Sequence, residues 1–517
     1  MDERKMVKWI GTWMLMGLAG VAAPGLAAEP AAKPNILFIC TDEQHPAIAG
    51  YRGNPVIQTP NLDALAADGT HFTRSYVQSP VCGPSRASYM FGNYIHRIEN
   101  WYNGTAWPTD EVTWAARVTD KGYHSAHFGK MDSPGLYDRL GFTEEWHSAK
   151  RPIANPKGTD SRFFPDNFRN AKGHLTVSTF DPETYKGKNT GQYKYDRPST
   201  DRALAFLKER GTDGKPWMLH VGLLMPHWPL TLPQKYYDRY ADAEIPMPCD
   251  AKFPNPNLHP ALQHFQKWDG LDVPPDAEKL KDALKAYYGM VSFVDDMVGE
   301  LVAELKRAGM YENTYIIFTS DHGDNLGEHG LIGNKHTPFE GSVAVPLIIA
   351  GPGVKSGAKV DMPVAHVDLY PTIMDMAGVD FSDPALPGKS LMPVLLGKEA
   401  AADRTVFSEW HGVGFPGAWY MLANKQYKYI YFERDRPSLF DLEADPNELK
   451  DLALDPAYAG TIKEFEAELN RLLDPVKVAR AARAAQGLIT ADGKDLMFDA
   501  SARPVAKGKK KNAKNQK

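Results

Sequence analysis

Short apolar runs that each lead into an acidic residue are the feature that most constrains the fold of this chain. Residues 34–41 (PNILFICT) lead into Asp42, and residues 314–320 (TYIIFTS) lead into Asp321. Uninterrupted apolar runs of this length are typical of strands buried on both faces of a parallel sheet. Two further runs, at 217–224 and 346–351, alternate with helical patterns at 60–69, 276–308 and 368–378. The sequence therefore predicts an α/β fold in which a large mixed, mostly parallel sheet is sandwiched by helices, with functional groups beyond the carboxyl ends of its strands.

The pattern of the chain changes from about residue 396. Short alternating or aromatic runs at 404–409, 418–422, 427–432 and 438–442 precede a helical pattern at 460–473, which predicts a smaller C-terminal antiparallel sheet with one helix packed on it. We therefore expect a main catalytic domain over 29–395 and an α+β subdomain over 396–480. Residues 151–198 are rich in Pro, Gly, Lys, Asp and Asn with weak periodicity, which predicts a long surface insertion. We expect residues 481–517 to form an extended, disordered tail, because residues 507–517 contain six Lys and no acid.

The first 28 residues read as a secretory signal peptide. A basic start with Arg4, Lys5 and Lys8 precedes residues 9–28, which carry no charge and end in small residues. A retained membrane anchor is the alternative, but the Gly and Pro residues in this stretch weaken it. We expect a periplasmic or secreted protein without stable membrane insertion.

Charge and cysteine content exclude some classes of function. The 517 residues carry a formal net charge of −5, and removing residues 1–28 and 507–517 leaves a body at −12. This acidity argues against a nucleic-acid binder. Three cysteines, Cys40, Cys82 and Cys249, are too few for a disulfide framework, and we expect Cys40 and Cys249 to be free buried thiols. An anionic substrate would have to meet cations gathered locally inside an acidic body.

Cys82 lies in the most specific motif of the chain. The segment Cys82-Gly83-Pro84-Ser85-Arg86 places a cation four residues after a thiol, which favours a reactive cysteine; a buried thiol beside a turn is the alternative. The segment resembles the sulfatase signature C-x-P-S-R. The resemblance extends over residues 34–450 through TPNLDALAADG, TSDHGDNLGEHG, VPLIIAGPG, DLYPTIMDMAG and LFDLEADPNELKDLA. It implies a formylglycine-dependent sulfatase of the arylsulfatase and choline-sulfatase-like branch, with the alkaline-phosphatase-like fold and a formylglycine-generating enzyme that oxidises the cysteine.

Acidic residues at the ends of two strands form a candidate metal site. Asp42 and Glu43 follow the first strand, and Asp321 and His322 follow the later one. Each acid alone is more often a helix cap or a surface charge. Together, carboxylates at neighbouring strand ends repel unless a cation lies between them, and hard oxygen ligands favour Ca²⁺ or Mg²⁺. The resemblance implies one Ca²⁺ held by these four residues and the modified Cys82, with Glu43 longer than the family's usual residue.

Four basic residues complete the predicted site: Arg86, Lys130, His227 and Lys335. The leaving oxygen of a sulfate ester gains negative charge as the S–O bond breaks, so fixed cations aimed at it stabilise the transition state. A lone Lys or His is normally a solvated or structural residue. The resemblance implies instead that Lys130 and Lys335 contact the sulfate or the leaving oxygen, and that His227 protonates the departing alkoxide.

One catalytic position departs from the family pattern. The family usually has G-K-x-H, whereas Asp132 stands two residues after Lys130 here. That His normally bonds the formylglycine hydroxyl, and an Asp accepts hydrogen bonds but supplies no cation. Either Asp132 takes over an acceptor role, or another residue such as Tyr123, His124 or His127 compensates, or activity is altered.

These features predict a sulfuric ester hydrolase acting on a sulfated carbohydrate. The resemblance places His96 in a region that often lines the sugar side of the family's site. Aromatic residues with the shape to stack on sugar rings, although such residues are more often part of a core, are Trp101, Tyr102, Trp107, Trp228 and Trp410. A phosphonate monoester or phosphodiester hydrolase on the same scaffold is one alternative. A non-catalytic sulfoglycan-binding relative is the other.

Overall fold

The structure, a computed structural model, describes residues 33–134, 140–146, 191–211, 213–272, 275–499 and 501. The predicted signal peptide, most of the surface insertion that the sequence suggests at 151–198, and the Lys-rich end of the chain lie outside these residues. In the part of the chain that is described, no helix combines the length and the apolar character needed to cross a bilayer.

Strands and helices alternate through the first three quarters of the described chain. The strands are β1 (Asn35–Asp42), β2 (Thr70–Phe72), β3 (Ser75–Tyr76), β4 (His124–Gly129), β5 (Glu144–Trp146), β6 (Trp217–Pro226), β7 (Thr314–Ser320), β8 (Asn325–Leu326), β9 (Ile332–Asn334), β10 (Leu347–Ala350), β11 (Ala358–Val360), β12 (Val364–Ala365), β13 (Val406–Trp410), β14 (Trp419–Ala423), β15 (Tyr427–Phe432) and β16 (Ser438–Asp441). The α-helices are α1 (Pro60–Asp68), α2 (Cys82–Phe91), α3 (Trp114–Asp120), α4 (Gln192–Arg210), α5 (Gln234–Asp238), α6 (Pro260–Trp268), α7 (Ala277–Arg307), α8 (Glu340–Val343), α9 (Leu369–Ala377), α10 (Met392–Leu395), α11 (Ala459–Leu472) and α12 (Pro475–Ala485).

Within the described residues, the main sheet has eight strands in the order β11-β2-β10-β7-β1-β6-β4-β5. Strand β1 lies between β6 and β7 and is parallel to both, whereas β10 is antiparallel to its neighbours β7 and β2. The sheet is therefore mixed and mostly parallel, as predicted. Every residue of β1 is buried, which explains why this strand reads as an uninterrupted apolar run.

Alternate residues of β1 enter two separate cores. Leu37 and Ile39 pack in one buried cluster, which includes Phe206 of α4 and Leu301 of α7. Ile36 and Phe38 pack in a second cluster, which includes Trp114 of α3 and Ile373 of α9. Because successive side chains of a strand point to opposite faces, helices cover both faces of the sheet, and the predicted fold class is confirmed.

Strands β13 to β16 form a separate antiparallel sheet in sequence order. Helix α11 packs on this sheet, with the ring of Phe465 stacked on that of Tyr429 at 5.7 Å between centroids. This arrangement matches the predicted antiparallel sheet with one helix; the domain boundaries at 396 and 480 stay predictions.

Residues 481–499 are folded, which corrects the expected extended tail over this part; residues 502–517 lie outside the described residues. Helix α12 runs to Ala485, and Leu488, Leu496 and Met497 are buried. The guanidinium of Arg483 donates to both carboxylate oxygens of Glu433 at 2.7 and 2.9 Å. These contacts hold residues 481–499 in place. The expectation was based on the Lys-rich residues 507–517, whereas residues 481–499 contain buried apolar side chains and a paired arginine.

Two other elements were hidden in the sequence. Helix α4 begins at Gln192, inside the segment that the sequence suggests is a surface insertion, because Pro198 and a charged composition mask its periodicity. Strand β4 carries His and Ser residues that break its apolar pattern. Cys40 and Cys249 are free thiols, as expected, but Cys249 is only partly buried.

Candidate active site

The predicted nucleophile and the acidic strand ends converge at one point. Asp42 is the last residue of β1 and Asp321 directly follows β7, so the parallel pairing of these strands places the two acids side by side. Cys82 is the first residue of α2. Its Sγ lies 3.8 Å from Oδ1 of Asp42 and 3.4 Å from Nε2 of His322. All four residues are buried, and the convergence predicted at the carboxyl edge of the sheet is present.

These four side chains form a candidate metal-binding group. One ligand atom from each of Asp42, Cys82, Asp321 and His322 lies within 4.8 Å of the others. Burial lowers the pKa of His322 to about 3, so its imidazole is neutral at physiological pH and retains a lone pair for a metal. The two carboxylates are hard ligands of the kind that Ca²⁺ and Mg²⁺ prefer, whereas the imidazole nitrogen and the sulfur are softer ligands. A second group, which shares Asp42, contains Glu43 and His227.

Arg86 links three segments beneath this group. Its Nε donates to Oδ2 of Asp321 at 2.9 Å, its Nη1 to the carbonyl of Lys130 at 2.9 Å, and its Nη2 to the carbonyl of Thr41 at 3.3 Å. The side chain is fully buried. Burial alone would raise the pKa of Asp321, but the Arg86 charge, followed by weaker neighbours, holds that pKa well below its usual range. Arg86 therefore keeps Asp321 ionised and ties the ends of β1 and β4 to it.

Lys130 and Asp132 stand on the turn after β4. Gly129 has a φ of 95°, and a Cβ there would lie 2.0 Å from the carbonyl oxygen of Gly222 on β6, so only glycine fits this close approach. The turn directs Nζ of Lys130 onto the carboxylate of Asp42. Asp132, which has a left-handed φ of 62°, is buried with Oδ2 3.9 Å from the same Nζ. The position where the family has His thus carries an acid close to the site's buried lysine.

His227, Lys335 and Glu43 form the more accessible edge of the site. Nζ of Lys335 donates to Nε2 of His227 at 2.8 Å and to Oε2 of Glu43 at 3.1 Å, and it lies 3.8 Å from Sγ of Cys82. The side chain of His227 is 30% exposed, whereas that of Glu43 is 2% exposed. Partial burial and the Lys335 charge hold the pKa of His227 well below its usual value. This edge therefore offers the His227 nitrogen and the Lys335 ammonium to a substrate arriving beside Cys82, while the buried Glu43 carboxylate pairs with both.

Residues with weaker predicted roles have other partners. The backbone N–H of His96 donates to Oε1 of Glu409, and Nδ1 of its ring lies 2.8 Å from the same oxygen, so His96 links the segment after α2 to β13. His127 contacts His220 at 3.0 Å between Nδ1 atoms, and the hydroxyl of Tyr123 donates to the carbonyl of Pro34. Nε2 of His124 lies 3.8 Å from the carboxylate of Glu144 on β5. The three residues offered as substitutes for the missing His therefore form contacts within the sheet region.

The sequence does not reveal how the His227 segment is fixed: Trp228, named above as an aromatic residue with the shape to stack on a sugar, is buried and anchors this segment. Trp228 donates from Nε1 to Oδ2 of Asp324 at 2.8 Å, and Gln192 donates from Nε2 to the carbonyl of His227 at 2.8 Å. Asp324 stands two residues after His322, and this position at a strand end marks it as a candidate site residue. No pattern in the sequence points to Gln192, because Pro198 and a charged composition mask the helix that carries it.

Known sulfatases match most of this chain. Residues 34–379 match the family model described as Sulfatase, and residues 327–474 match one described as N-sulphoglucosamine sulphohydrolase, C-terminal. A choline-sulfatase of Rhizobium meliloti (strain 1021) is 32% identical over 438 residues, which cover 82% of this chain and 83% of that protein. An ulvan-active sulfatase of Formosa agariphila is 27% identical over 450 residues, which cover 85% and 81% of the two chains.

A solved structure extends the likeness to the fold. The phosphonate monoester hydrolase of Silicibacter pomeroyi has a TM-score of 0.68 and 27% identity, with 90% of this chain and all of that chain covered. This likeness agrees with the alkaline-phosphatase-like fold that the sequence predicts. The family model spans both acidic strand ends and Cys82, and the relatives are named sulfatases. The chain is therefore a sulfatase and belongs to the sulfatase family of the alkaline phosphatase superfamily.

Proposed function

We propose that this sulfatase hydrolyses sulfate esters of a carbohydrate through a formylglycine made from Cys82, beside a Ca²⁺ ion. The observation that carries the proposal is the position of Cys82 Sγ, which lies within 3.4–3.8 Å of an imidazole, a carboxylate and an ammonium. Once hydrated, the aldehyde supplies one hydroxyl to attack sulfur and a second whose deprotonation releases sulfate, an exit that a thiolate lacks.

Asp42, Asp321 and His322 would hold the calcium ion together with the modified residue 82. Glu43, which belongs to the second group that contains Asp42, would be a further ligand. The bound ion would neutralise these acids and polarise sulfate oxygens. Arg86 keeps Asp321 in its ionised form through the 2.9 Å ion pair. This tie prepares the acid for a cation, because a protonated carboxyl group is a poor ligand.

The remaining cations would stabilise the sulfate group and its leaving oxygen. Lys130 and Lys335 approach the site from opposite elements, the turn after β4 and the segment after β9, and fixed charges in a buried site lower the transition-state energy. A hydrogen of the Lys335 ammonium lies between its Nζ and Nε2 of His227, which are 2.8 Å apart. A bound sulfate would raise the pKa of His227, since an anion favours the cationic imidazole. The proton would then pass from Nε2 to the departing alkoxide as the S–O bond breaks.

Asp132 would serve as an acceptor in place of the family's His. Its carboxylate is buried beside Lys130, and its backbone carbonyl oxygen lies 3.7 Å from where a Cβ on Gly83 would stand. The segment that carries Asp132 therefore passes close to residue 83, and its carboxylate would accept a hydrogen bond from a hydroxyl on residue 82. It would also offset part of the Lys130 charge.

We place the substrate among sulfated saccharides and the protein outside the cytoplasm. The ulvan-active relative supports a polysaccharide-derived substrate, and the predicted signal peptide over residues 1–28 supports a periplasmic or secreted location. A formylglycine-generating enzyme, which supplies the oxidation, is the maturation partner that the proposal requires.

Sulfate release measured on a panel of sulfated saccharides tests the proposal. Protein co-produced with a formylglycine-generating enzyme is expected to free inorganic sulfate, whereas Cys82→Ala abolishes release. Cys249→Ala is the matched control, because that thiol is partly buried and remote in sequence from the motif, and it should retain activity. Equal activity in Cys82→Ala and the parent protein would contradict the proposal.

Phosphonate monoester or phosphodiester hydrolysis is a second candidate activity. The observation that favours it is the likeness to the phosphonate monoester hydrolase of Silicibacter pomeroyi over all of that chain. Turnover of 4-nitrophenyl sulfate is expected to exceed that of bis(4-nitrophenyl) phosphate. The reverse order would make the phosphodiester activity the principal one.

A further inference from the structure

The loop that carries His227 is fixed by two elements that lie outside the charged cluster around Cys82. His227 follows the end of β6, and a contact between its Nδ1 and the carbonyl oxygen of Trp228 sets the ring. A carbonyl oxygen only accepts, so Nδ1 carries the hydrogen in this contact and Nε2 faces Lys335. The direction of Nε2 therefore depends on where the backbone of residues 227 and 228 is held.

The first support comes from the loop after β7. The indole Nε1 of Trp228 donates to Oδ2 of Asp324 at 2.8 Å, and both side chains are buried. Gly333 packs against the indole, and a Cβ there would lie 3.0 Å from ring atom Cε2. This bond joins the His227 loop to the strand-end loop that carries Asp321 and His322.

The second support comes from α4. Nε2 of Gln192 donates to the carbonyl of His227 at 2.8 Å, and Oε1 of the same amide accepts from the hydroxyl of Thr231 at 2.8 Å. One turn further along the helix, the carboxylate of Asp196 accepts from the backbone N–H groups of Leu224 and Met225 at 2.7 and 2.9 Å. Helix α4 thus holds the loop on both sides of His227.

We propose that Trp228 and Gln192 are positioning residues that aim Nε2 of His227 at the leaving oxygen of the ester. The inference rests on the proposed role of His227 as proton donor. Neither side chain need touch the substrate: Trp228 acts through its carbonyl contact with the imidazole, and Gln192 through the His227 carbonyl. A displacement of about 1 Å in a catalytic group can cost about 10²-fold in rate, so a lost anchor is expected to reduce proton transfer specifically.

The experiment compares two esters that differ in their need for a proton. The 4-nitrophenolate leaving group departs readily without protonation, whereas the more basic phenolate depends on a general acid. The values of kcat/KM for 4-nitrophenyl sulfate and phenyl sulfate are measured for the mature enzyme and for Trp228→Phe, which keeps an aromatic ring but removes the indole N–H. Gln192→Met, of similar length but without the amide, tests the second anchor independently.

Trp217→Phe is the matched control. Trp217 opens strand β6, which ends two residues before Trp228; it is fully buried, and its Nε1 has no hydrogen-bond partner within the described residues. Any general effect of shrinking a buried tryptophan in this part of the chain appears in this variant. It should change both substrates by the same factor.

The expected result is a selective loss on the poorer leaving group. Trp228→Phe and Gln192→Met should each lower kcat/KM for phenyl sulfate about tenfold more than for 4-nitrophenyl sulfate, and His227→Ala should show the same pattern more strongly. Equal losses on both esters in Trp228→Phe and Gln192→Met, with a selective loss in His227→Ala, would overturn the positioning role. A His227→Ala variant without selectivity would instead refute the proton-donor role on which the inference rests.

Discussion

Replacement of Arg86 by Met should destabilise the protein strongly. The reason is that Arg86 balances the charge of the buried Asp321 carboxylate, a structural role in addition to any contact with substrate. The variant removes the 2.9 Å ion pair to Asp321 and the donors that the carbonyls of Lys130 and Thr41 accept. Breaking one side of a buried ion pair costs about 3–5 kcal/mol. The free energy of unfolding of a native protein is about 5–15 kcal/mol. The variant should therefore lose a large share of it.

Urea denaturation followed by tryptophan fluorescence measures this loss. The comparison is made first with a calcium chelator present, so that no cation substitutes for the missing guanidinium. Arg97→Met is the matched control, because Arg97 is exposed; its contacts are a donation to the carbonyl of Ala385 and a position over the Tyr94 ring. Its effect should stay within about 0.5 kcal/mol. Added Ca²⁺ should restore part of the stability of Arg86→Met, since a ligand that binds only the folded state stabilises it. A loss below about 1 kcal/mol in Arg86→Met, comparable to an average substitution, would refute the reasoning.

Three further predictions test other parts of the structure. Chelation of divalent cations should abolish sulfate release, and added Ca²⁺ should restore it in the parent protein but not in Asp42→Asn. Calorimetric titration with Ca²⁺ measures the affinity that the variant loses. An unchanged affinity would contradict the role of Asp42 as a calcium ligand. Burial would raise the pKa of Glu409, but its two histidine neighbours lower it to about 2, so its contribution to stability is present above its usual value near 4.5 and is lost as the pH falls from there towards 2. The pH dependence of thermal unfolding should be weaker in Glu409→Gln, and identical acid profiles would refute this. Gly129→Ala should destabilise by more than about 1 kcal/mol through its clash with Gly222, whereas Gly122→Ala, with the same φ of 95° but open space around it, should cost less; equal thermal shifts would show that the clash is relieved.

The sequence was most informative where burial leaves a simple pattern. Strand β1 is apolar along its whole length because both of its faces are covered, and so its end at Asp42 was predicted closely. Helix α7 was equally clear, since 31 residues of one amphipathic helix repeat the same period. The chemistry of the site was inferred from the resemblance of the Cys82 motif to the sulfatase signature.

Long-range contacts were beyond the reach of sequence patterns. No local signal shows that Gln192 meets the carbonyl of His227, because the bond joins residues 35 apart in the chain. Likewise, the sequence placed Glu43 with the metal ligands, but its carboxylate also pairs with Lys335 and His227. Residues 481–499 fold because Arg483 meets Glu433, 50 residues earlier. Such pairings depend on the fold as a whole and carry no fixed spacing.

The mass of the peptide that contains residue 82, taken from protein of measured specific activity, tests the central claim most directly. Fully active protein should show at Cys82 the loss of sulfur and two hydrogens and the gain of one oxygen that convert a thiol to an aldehyde. The activity of separate preparations should rise in proportion to the converted fraction. An unmodified Cys82 thiol in fully active protein would contradict the account.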